Sequence, residues 1–317
     1  MKKIGLILGV SGQDGSYLAK HLVDNDYHVI GTTRSDSPRG LTNLEALDIL
    51  DKVEICTLSI SNIIQIEQCF RRIKPHEVYN LTGPSSVSES FSSPYRNAHD
   101  IYLNTLNCLE AVRKVNTPIR YYNACSSECF GETGDTPADE ETPFQPLSPY
   151  GHAKAAAFGL TKLYRETYGL FCSSGILFNH ESPLRPSTYV SQKILLETAA
   201  IAQGKQQNLR LGNIDIERDW GWAPDYVEGM HRILLHDIAD DFILATGKTH
   251  SLKDFLAIAF ENFGLNWKSF VTSSPELIRP SEIRSSRADP AKAKRVLGWS
   301  SQCDLPTLIS KLTKVRS

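Results

Sequence analysis

Four residues in the middle of the chain have the types and spacing for proton chemistry. Ser126 and Glu128 fall in CSSECFG, at the end of the apolar run IRYYNACS, and Tyr150 and Lys154 stand four residues apart in SPYGHAKAAAFGL. The apolar run reads as a buried strand. A carboxylate at such a strand end is either paired, solvated, or handling a proton in a cleft, because burying an unpaired charge is costly. The four-residue step puts Tyr150 and Lys154 on one helical face. An ammonium beside a phenol favours the phenolate, so Tyr150 is a candidate base toward a hydroxyl group. A YxxxK step alone also describes a solvated helix face. Ser126, some two dozen residues upstream at a strand end, is what distinguishes this one.

A second group lies at the N-terminus. LILGVSGQDGSYL places Gly9, Gly12 and Gly15 in two three-residue steps between a strand pattern and a helix pattern. Glycines there permit a tight turn and let a pyrophosphate approach backbone N–H groups at a helix start. A dinucleotide site is expected. At the end of the second strand, GTTRSDS offers Arg34 where an NAD site has an acid for the ribose 2′-hydroxyl. A guanidinium suits a 2′-phosphate, which favours NADP, and Asp36, two residues on, keeps NAD open. A nicotinamide held near Tyr150 adds a second cation, and both cations lower the phenol's pKa from about 10. Hydroxyl, tyrosine and lysine around a nicotinamide describe a short-chain dehydrogenase/reductase site.

The elements that must position these groups follow from hydrophobic periodicity. KIGLILGV, HVIGTTR, VEICTLS, EVYNLTG, IRYYNACS and SSGILFN read as strands, with amphipathic segments near 15–26, 62–73, 98–115 and 149–168 between them. Alternation of this kind gives βαβ units and a doubly wound parallel sheet. After about Asn179 the rhythm changes. NHESPLRPSTYV reads as a loop with two prolines, SQKILLETAAIAQG and SLKDFLAIAFENFG as helices, DFILATG as a strand, and Asp289-Pro290 as a helix start. The expected division is a Rossmann cofactor-binding domain over 1–178 with about 214–247, and a smaller C-terminal substrate lobe over 179–213 and 248–317.

Bulk composition narrows the function classes. The 317 residues are 41% hydrophobic and 22% charged, with a formal net charge of -2, so no global basic field points to nucleic acid. No apolar run approaches the roughly 18 residues of a membrane span, and the polar, amphipathic continuation of the first apolar stretch argues against a signal peptide. Seven cysteines without a CxxC, and nine histidines without an HExxH, argue against a disulfide scaffold or a metal site and for reduced thiols in a cytoplasmic protein.

With these pieces in place, the sequence resembles the extended short-chain dehydrogenases/reductases that act on nucleotide sugars, and within them the GDP-mannose 4,6-dehydratase family. The likeness runs over nearly the whole chain. It rests on residues 8–19, SSECFG, TPFQPLSPYGHAK, YRETYGL, GILFNHESPLR, LRLGNIDIERDWGWAPDYVEGM, ATG and IRPSEI with DPAKAKRVLGW. The resemblance implies that Ser126, Glu128, Tyr150 and Lys154 are catalytic. It implies a cofactor site including Gly9, Gly12, Gln13, Asp14, Gly15, Arg34, Leu58, Tyr150 and Lys154. Ser85, Asn179, Lys193, Arg218, Arg279 and Glu282 would hold the nucleotide sugar, in a homodimer or homotetramer. The sequence departs from the family pattern at Leu8-Gly9, at Cys56-Thr57-Leu58 where GDL contacts adenine, and at Ser86, Pro186 and Gln192.

Glu128 separates the candidate reactions. A plain alcohol dehydrogenase needs the hydroxyl, tyrosine and lysine and has no role for it. In a 4,6-dehydratase, a ketone at C4 acidifies C5–H, a base removes that proton, and the C6 hydroxyl leaves as water. A carboxylate whose pKa is raised by partial burial serves as that base. The expected reaction is conversion of GDP-mannose to a GDP-4-keto-6-deoxy sugar. The alternatives are a 4-oxidoreductase or epimerase on a GDP-hexose or GDP-heptose, and a dinucleotide sensor without chemistry.

Overall fold

Short apolar runs separated by amphipathic helices bury their faces by forming a parallel sheet covered on both sides. The computed structural model, which describes residues 2–34, 40–115 and 117–314, has that form. In chain order come β1 (Ile4–Leu8), α1 (Gln13–Asp24), β2 (His28–Thr33), α2 (Thr42–Ala46), β3 (Val53–Thr57), α3 (Ile63–Ile73) and β4 (Glu77–Asn80). Next are α4 (Val87–Ser92), α5 (Pro94–Ala98), α6 (Asn104–Lys114), β5 (Arg120–Ser126), α7 (Pro149–Tyr168) and β6 (Cys172–Leu177). The remainder supplies β7 (Asn179–Glu181), α8 (Val190–Ala202), β8 (Leu209–Leu211), β9 (Glu217–Trp222), α9 (Ala223–Leu235) and β10 (Phe242–Leu244). The chain ends with β11 (Thr249–Ser251), α10 (Leu252–Glu261), β12 (Val271–Ser273), β13 (Ser285–Ser286) and α11 (Leu305–Lys314).

Seven strands form the main sheet in the order β10-β6-β5-β4-β1-β2-β3, all parallel. Alternation along β1 builds both cores. Leu6 and Leu8 pack with Ile66, Phe70, Leu109 and Val112 of α3 and α6, whereas Ile7 packs with Leu18, Leu22, Val227 and Met230 of α1 and α9. The strand order reverses between β1 and β4. In a doubly wound sheet the crevice outside the strand ends opens there.

The smaller sheet shows where sequence reading fell short. Asn179–Glu181 is not loop: it pairs in parallel with Trp220–Trp222 of β9. A strand reading Asn-His-Glu has no apolar signature, and its backbone pairing comes from a partner some 40 residues away. β9 also pairs with β11 and β13. Of the segment 214–247, α9 and β10 therefore join the main sheet layer, while β9 lies in the second sheet. Seven cysteines are free and six of them are buried. Among the described residues, no helix is long and apolar enough to cross a membrane, and no His, Cys, Asp or Glu cluster could hold a metal ion.

Candidate active site

The glycine loop joins β1 to α1. Gly9 has φ +87°, a conformation that favours glycine. A β-carbon on Gly15 would lie 2.3 Å from the Gly9 carbonyl oxygen, so Gly15 lets α1 pack onto the turn. Gly12 is different. The nearest atom to a β-carbon there is 3.6 Å away, and Gly12 lines an open groove with Gly9, Ser11, Thr32, Arg34 and Leu58. The missing side chain at Gly12 thus leaves the start of α1 open to a ligand. A dinucleotide fits this cradle, with its pyrophosphate at the helix start. Arg34 lies in the same groove at the end of β2. Asp36 falls outside the described residues.

Gln13 is not part of the groove lining. Its side chain is buried, accepts from Ser182 Oγ at 2.8 Å and donates to the His180 carbonyl at 3.3 Å, tying α1 to β7 and the residue after it. Asp14 lines a second cleft instead and pairs with His180 at 2.9 Å.

A second cleft meets the groove at Leu81–Pro84, directly after β4. It is lined by Ser126, Glu128, Tyr150 and Lys154 together with Asp14, Ser85, Asn179, Arg218 and Arg279. Ser126 ends β5 and accepts a hydrogen bond from the Glu128 N–H at 3.3 Å. Tyr150 sits in the first turn of α7, which Ser148 caps by accepting from the Gly151 N–H at 3.0 Å. Lys154, one turn on, donates to the Ala124 carbonyl at 2.7 Å and lies 5.9 Å from the centre of the Tyr150 ring.

These side chains alone do not produce the expected lowering of the phenol's pKa. Burial pushes Tyr150 above its ordinary value, and the hydrogen bond with Ser126 is the influence that lowers it. Burial likewise lowers the Lys154 pKa, opposed by Cys125, Cys129 and Asp14. Glu128 behaves as expected: burial raises its pKa, while Arg218 and Arg279 pull it down and Glu282 pushes it up.

Arg218 is positioned by strand alternation. It faces the cleft from β9, 5% exposed, with its guanidinium donating to the Glu217 carbonyl at 2.8 Å. The next residue, Asp219, holds the loop after β10 by accepting from the N–H groups of Thr246, Gly247 and Lys248. Arg279 pairs with Glu282 at 3.7 Å, and Glu282 itself stands outside the cleft lining. So does Lys193, whose ammonium donates to the Arg210 carbonyl at 2.7 Å.

Sequence reasoning passed over one part of the wall. Arg185 and Tyr189 line the cleft, the guanidinium 3.8 Å from the ring centre, and the Tyr189 hydroxyl reaches Ser85 Oγ across 2.6 Å. An arginine and a tyrosine four apart in a two-proline segment that follows a strand were the available signal.

A family model described as GDP-mannose 4,6 dehydratase matches residues 6–312. The chain belongs to the GDP-mannose 4,6-dehydratase family. GDP-mannose 4,6 dehydratase 1 of Arabidopsis thaliana is 40% identical, with 98% of this chain and 89% of that protein covered. GDP-mannose 4,6-dehydratase of Sinorhizobium fredii is 37% identical, with 99% and 96% covered. The fold is shared with the dTDP-glucose 4,6-dehydratase DesIV of Streptomyces venezuelae, solved with NAD bound, at a TM-score of 0.86 and 19% identity over 99% of this chain and 98% of that one. Membership in the GDP-mannose 4,6-dehydratase family agrees with a parallel Rossmann sheet whose crevice opens onto a carboxylate, a phenol and an ammonium.

Proposed function

We propose that this chain converts GDP-mannose to GDP-4-keto-6-deoxy-mannose by an intramolecular redox dehydration, with NADP as its recycled cofactor. The observation that carries the reading is Glu128 in one cleft with Ser126, Tyr150 and Lys154. A 4-oxidoreductase or an epimerase has no use for that carboxylate.

Held by the loop of Gly9, Gly12 and Gly15 with Arg34, the cofactor would supply reversible hydride storage between C4 and C6, so the cycle would need no external reductant. Tyr150 takes the proton of the C4 hydroxyl, with Ser126 orienting the phenol and Lys154 supplying positive charge beside it. The resulting ketone acidifies C5–H. Glu128 removes that proton as a carboxylate and, now protonated, delivers a proton to the departing C6 hydroxyl, which leaves as water. A carboxyl whose pKa is raised above its ordinary value by burial suits both halves of this exchange. A proton then returns to C5. The balance is one secondary alcohol oxidised at C4, one carbon reduced at C6, and one water lost.

Arg218 and Arg279 are the diphosphate partners in this reading, because both guanidiniums reach the cleft and a diphosphate needs charged donors. Ser85 and Asn179 line the same cleft, whereas Lys193 is turned to the Arg210 carbonyl and Glu282 pairs with Arg279.

The test is to incubate the purified protein with GDP-mannose, without added reductant, and to weigh the nucleotide-sugar product. A product lighter by one water is expected. Unchanged GDP-mannose, or an epimer of unchanged mass, overturns the assignment.

A further inference from the structure

Asn97 and Asn104 both line the groove that runs past Gly12 and Arg34. Both are nearly inaccessible, 3% and 5% exposed, and each carries an amide oxygen with no hydrogen-bond partner. Buried acceptors left without a donor are rare, and one at a cavity wall points to a ligand that supplies the donor.

The orientation of Asn104 is fixed by chemistry. Its Nδ2 lies 2.9 Å from the Asp100 carbonyl oxygen. A carbonyl can only accept, so the nitrogen must face Asp100 and the oxygen must face elsewhere. On the turn after β3, Ser59 Oγ and Ser61 Oγ bond each other at 2.9 Å.

The position along the groove identifies the ligand group. Asn107, three residues on in α6, donates to the Ile60 carbonyl at 3.2 Å, which ties this helix to the turn after β3. Leu58, Ser59, Ile60 and Ser61 of that turn line the groove with Asn104. β3 is the edge strand on the side away from β5 and β6, which carry the catalytic cleft. A dinucleotide with its pyrophosphate on the glycine loop and its nicotinamide toward Tyr150 sends its adenosine half to β2 and β3. Arg34, at the end of β2, then faces the ribose, and the base lies beside Leu58 and Asn104.

We propose that the Asn104 side-chain carbonyl accepts a hydrogen bond from the exocyclic amine of the cofactor's adenine. Asn104 is thereby a specificity-determining residue for the base. This inference rests on the reading of the groove as a dinucleotide site and extends it to a residue that the glycine fingerprint does not mark.

The experiment titrates purified protein calorimetrically with NADP and with nicotinamide hypoxanthine dinucleotide phosphate, whose base carries an oxygen in place of the amine. The wild-type protein should bind NADP more tightly by roughly ten- to a hundredfold, the usual penalty for setting acceptor against acceptor. Asn104→Leu should bring the two affinities within about twofold of each other, the expected result once the acceptor is gone. Asn104→Leu should still bind GDP in the second cleft as the wild type does, which separates a lost base contact from a damaged fold. Equal binding by the wild type, or an undiminished preference in Asn104→Leu, overturns the role of Asn104 alone. Failure of the wild type to bind either dinucleotide overturns the groove's assignment and this inference with it.

Discussion

A β-carbon on Gly151 would lie 2.6 Å from the Glu128 carbonyl oxygen and 3.0 Å from Pro146 Cβ. The first turn of α7 therefore touches the turn that carries Glu128, and only glycine at position 151 permits it. Tyr150 is the neighbouring residue, so this contact sets the spacing between the proposed oxidising base and the proposed eliminating base. Gly151→Ala should destabilise the fold by about 1–3 kcal/mol, the usual cost of overpacking. It should lower kcat more than it raises KM for GDP-mannose, because the shift falls on the two groups proposed to move protons. Thermal melts and steady-state kinetics check both parts, and unchanged kcat would show that the spacing is not critical.

Glu128→Gln keeps the shape of the side chain and removes the proton acceptor. The variant should fold, bind GDP, and dehydrate GDP-mannose about 10²- to 10⁴-fold more slowly. In deuterated water the wild type should place solvent deuterium at C5, and the variant should not. The pH dependence has a definite sign. The folded pKa of Glu128 lies above its ordinary value of 4.5, so the folded state binds more protons than the unfolded state in that window, and stability contributed by this group falls as pH rises through it. Glu128→Gln should therefore melt higher than wild type near pH 8 and lose that advantage below about pH 4.5. A lower melting temperature at pH 8 would mean that the charged carboxylate stabilises the fold, contrary to its burial.

The strands of the main sheet were readable because β1, β2, β4, β5 and β6 are short runs buried over most of their length, and β3, the half-exposed edge strand, still carries Val53 and Ile55 in alternation. The limits of α7 were readable from Ser148-Pro149 at its start and Gly169, in the left-handed conformation, at its end. Ser126, Glu128, Tyr150 and Lys154 could be grouped because they lie on two elements adjacent in sequence. What stayed hidden depends on contacts between distant segments. β7 is polar and takes its conformation from β9. Lys193 shares the motif region of the site residues, but its ammonium is turned to the Arg210 carbonyl. The orphaned oxygen of Asn104 is a property of packing, and no residue pattern announces it.

Arg34 tests the cofactor reading. Its place at the end of β2, within the groove of Gly12, suits a 2′-phosphate. Arg34→Glu should weaken NADP binding by roughly tenfold or more, the scale of one lost charge-assisted contact plus repulsion, and leave NAD binding equal or tighter. Equilibrium dialysis of both dinucleotides against wild type and variant decides it. A wild type that prefers NAD would refute the assignment of Arg34.

The pair of Asp14 and His180 links the start of α1 to β7 across 166 residues of sequence. His180 Nδ1 lies 2.7 Å from the Phe178 carbonyl oxygen and Nε2 lies 2.9 Å from Asp14 Oδ1, so both ring nitrogens face acceptors and the imidazolium is the favoured form. Its ring stacks on Tyr226 at 4.7 Å. The pKa of His180 is accordingly raised: burial opposes the charge, and the Asp14 carboxylate outweighs it. Asp14 is held at about 2, with burial opposing and His180 lowering. The raised His180 contributes stability that is complete below its ordinary value of about 6.5 and lost as pH rises through the folded value. The lowered Asp14 contributes stability present above 3.8 and lost as pH falls toward about 2. His180→Gln should therefore cost most near pH 5, where both partners are charged, and less at pH 9, on the side toward which the wild type loses the imidazolium. Because Asp14 also lines the cleft proposed to be catalytic, the variant should weaken dinucleotide binding at pH 5 along with the fold. Melting temperatures of wild type and His180→Gln at the two pH values make the comparison, and a stability difference independent of pH would show that His180 is neutral in the folded protein.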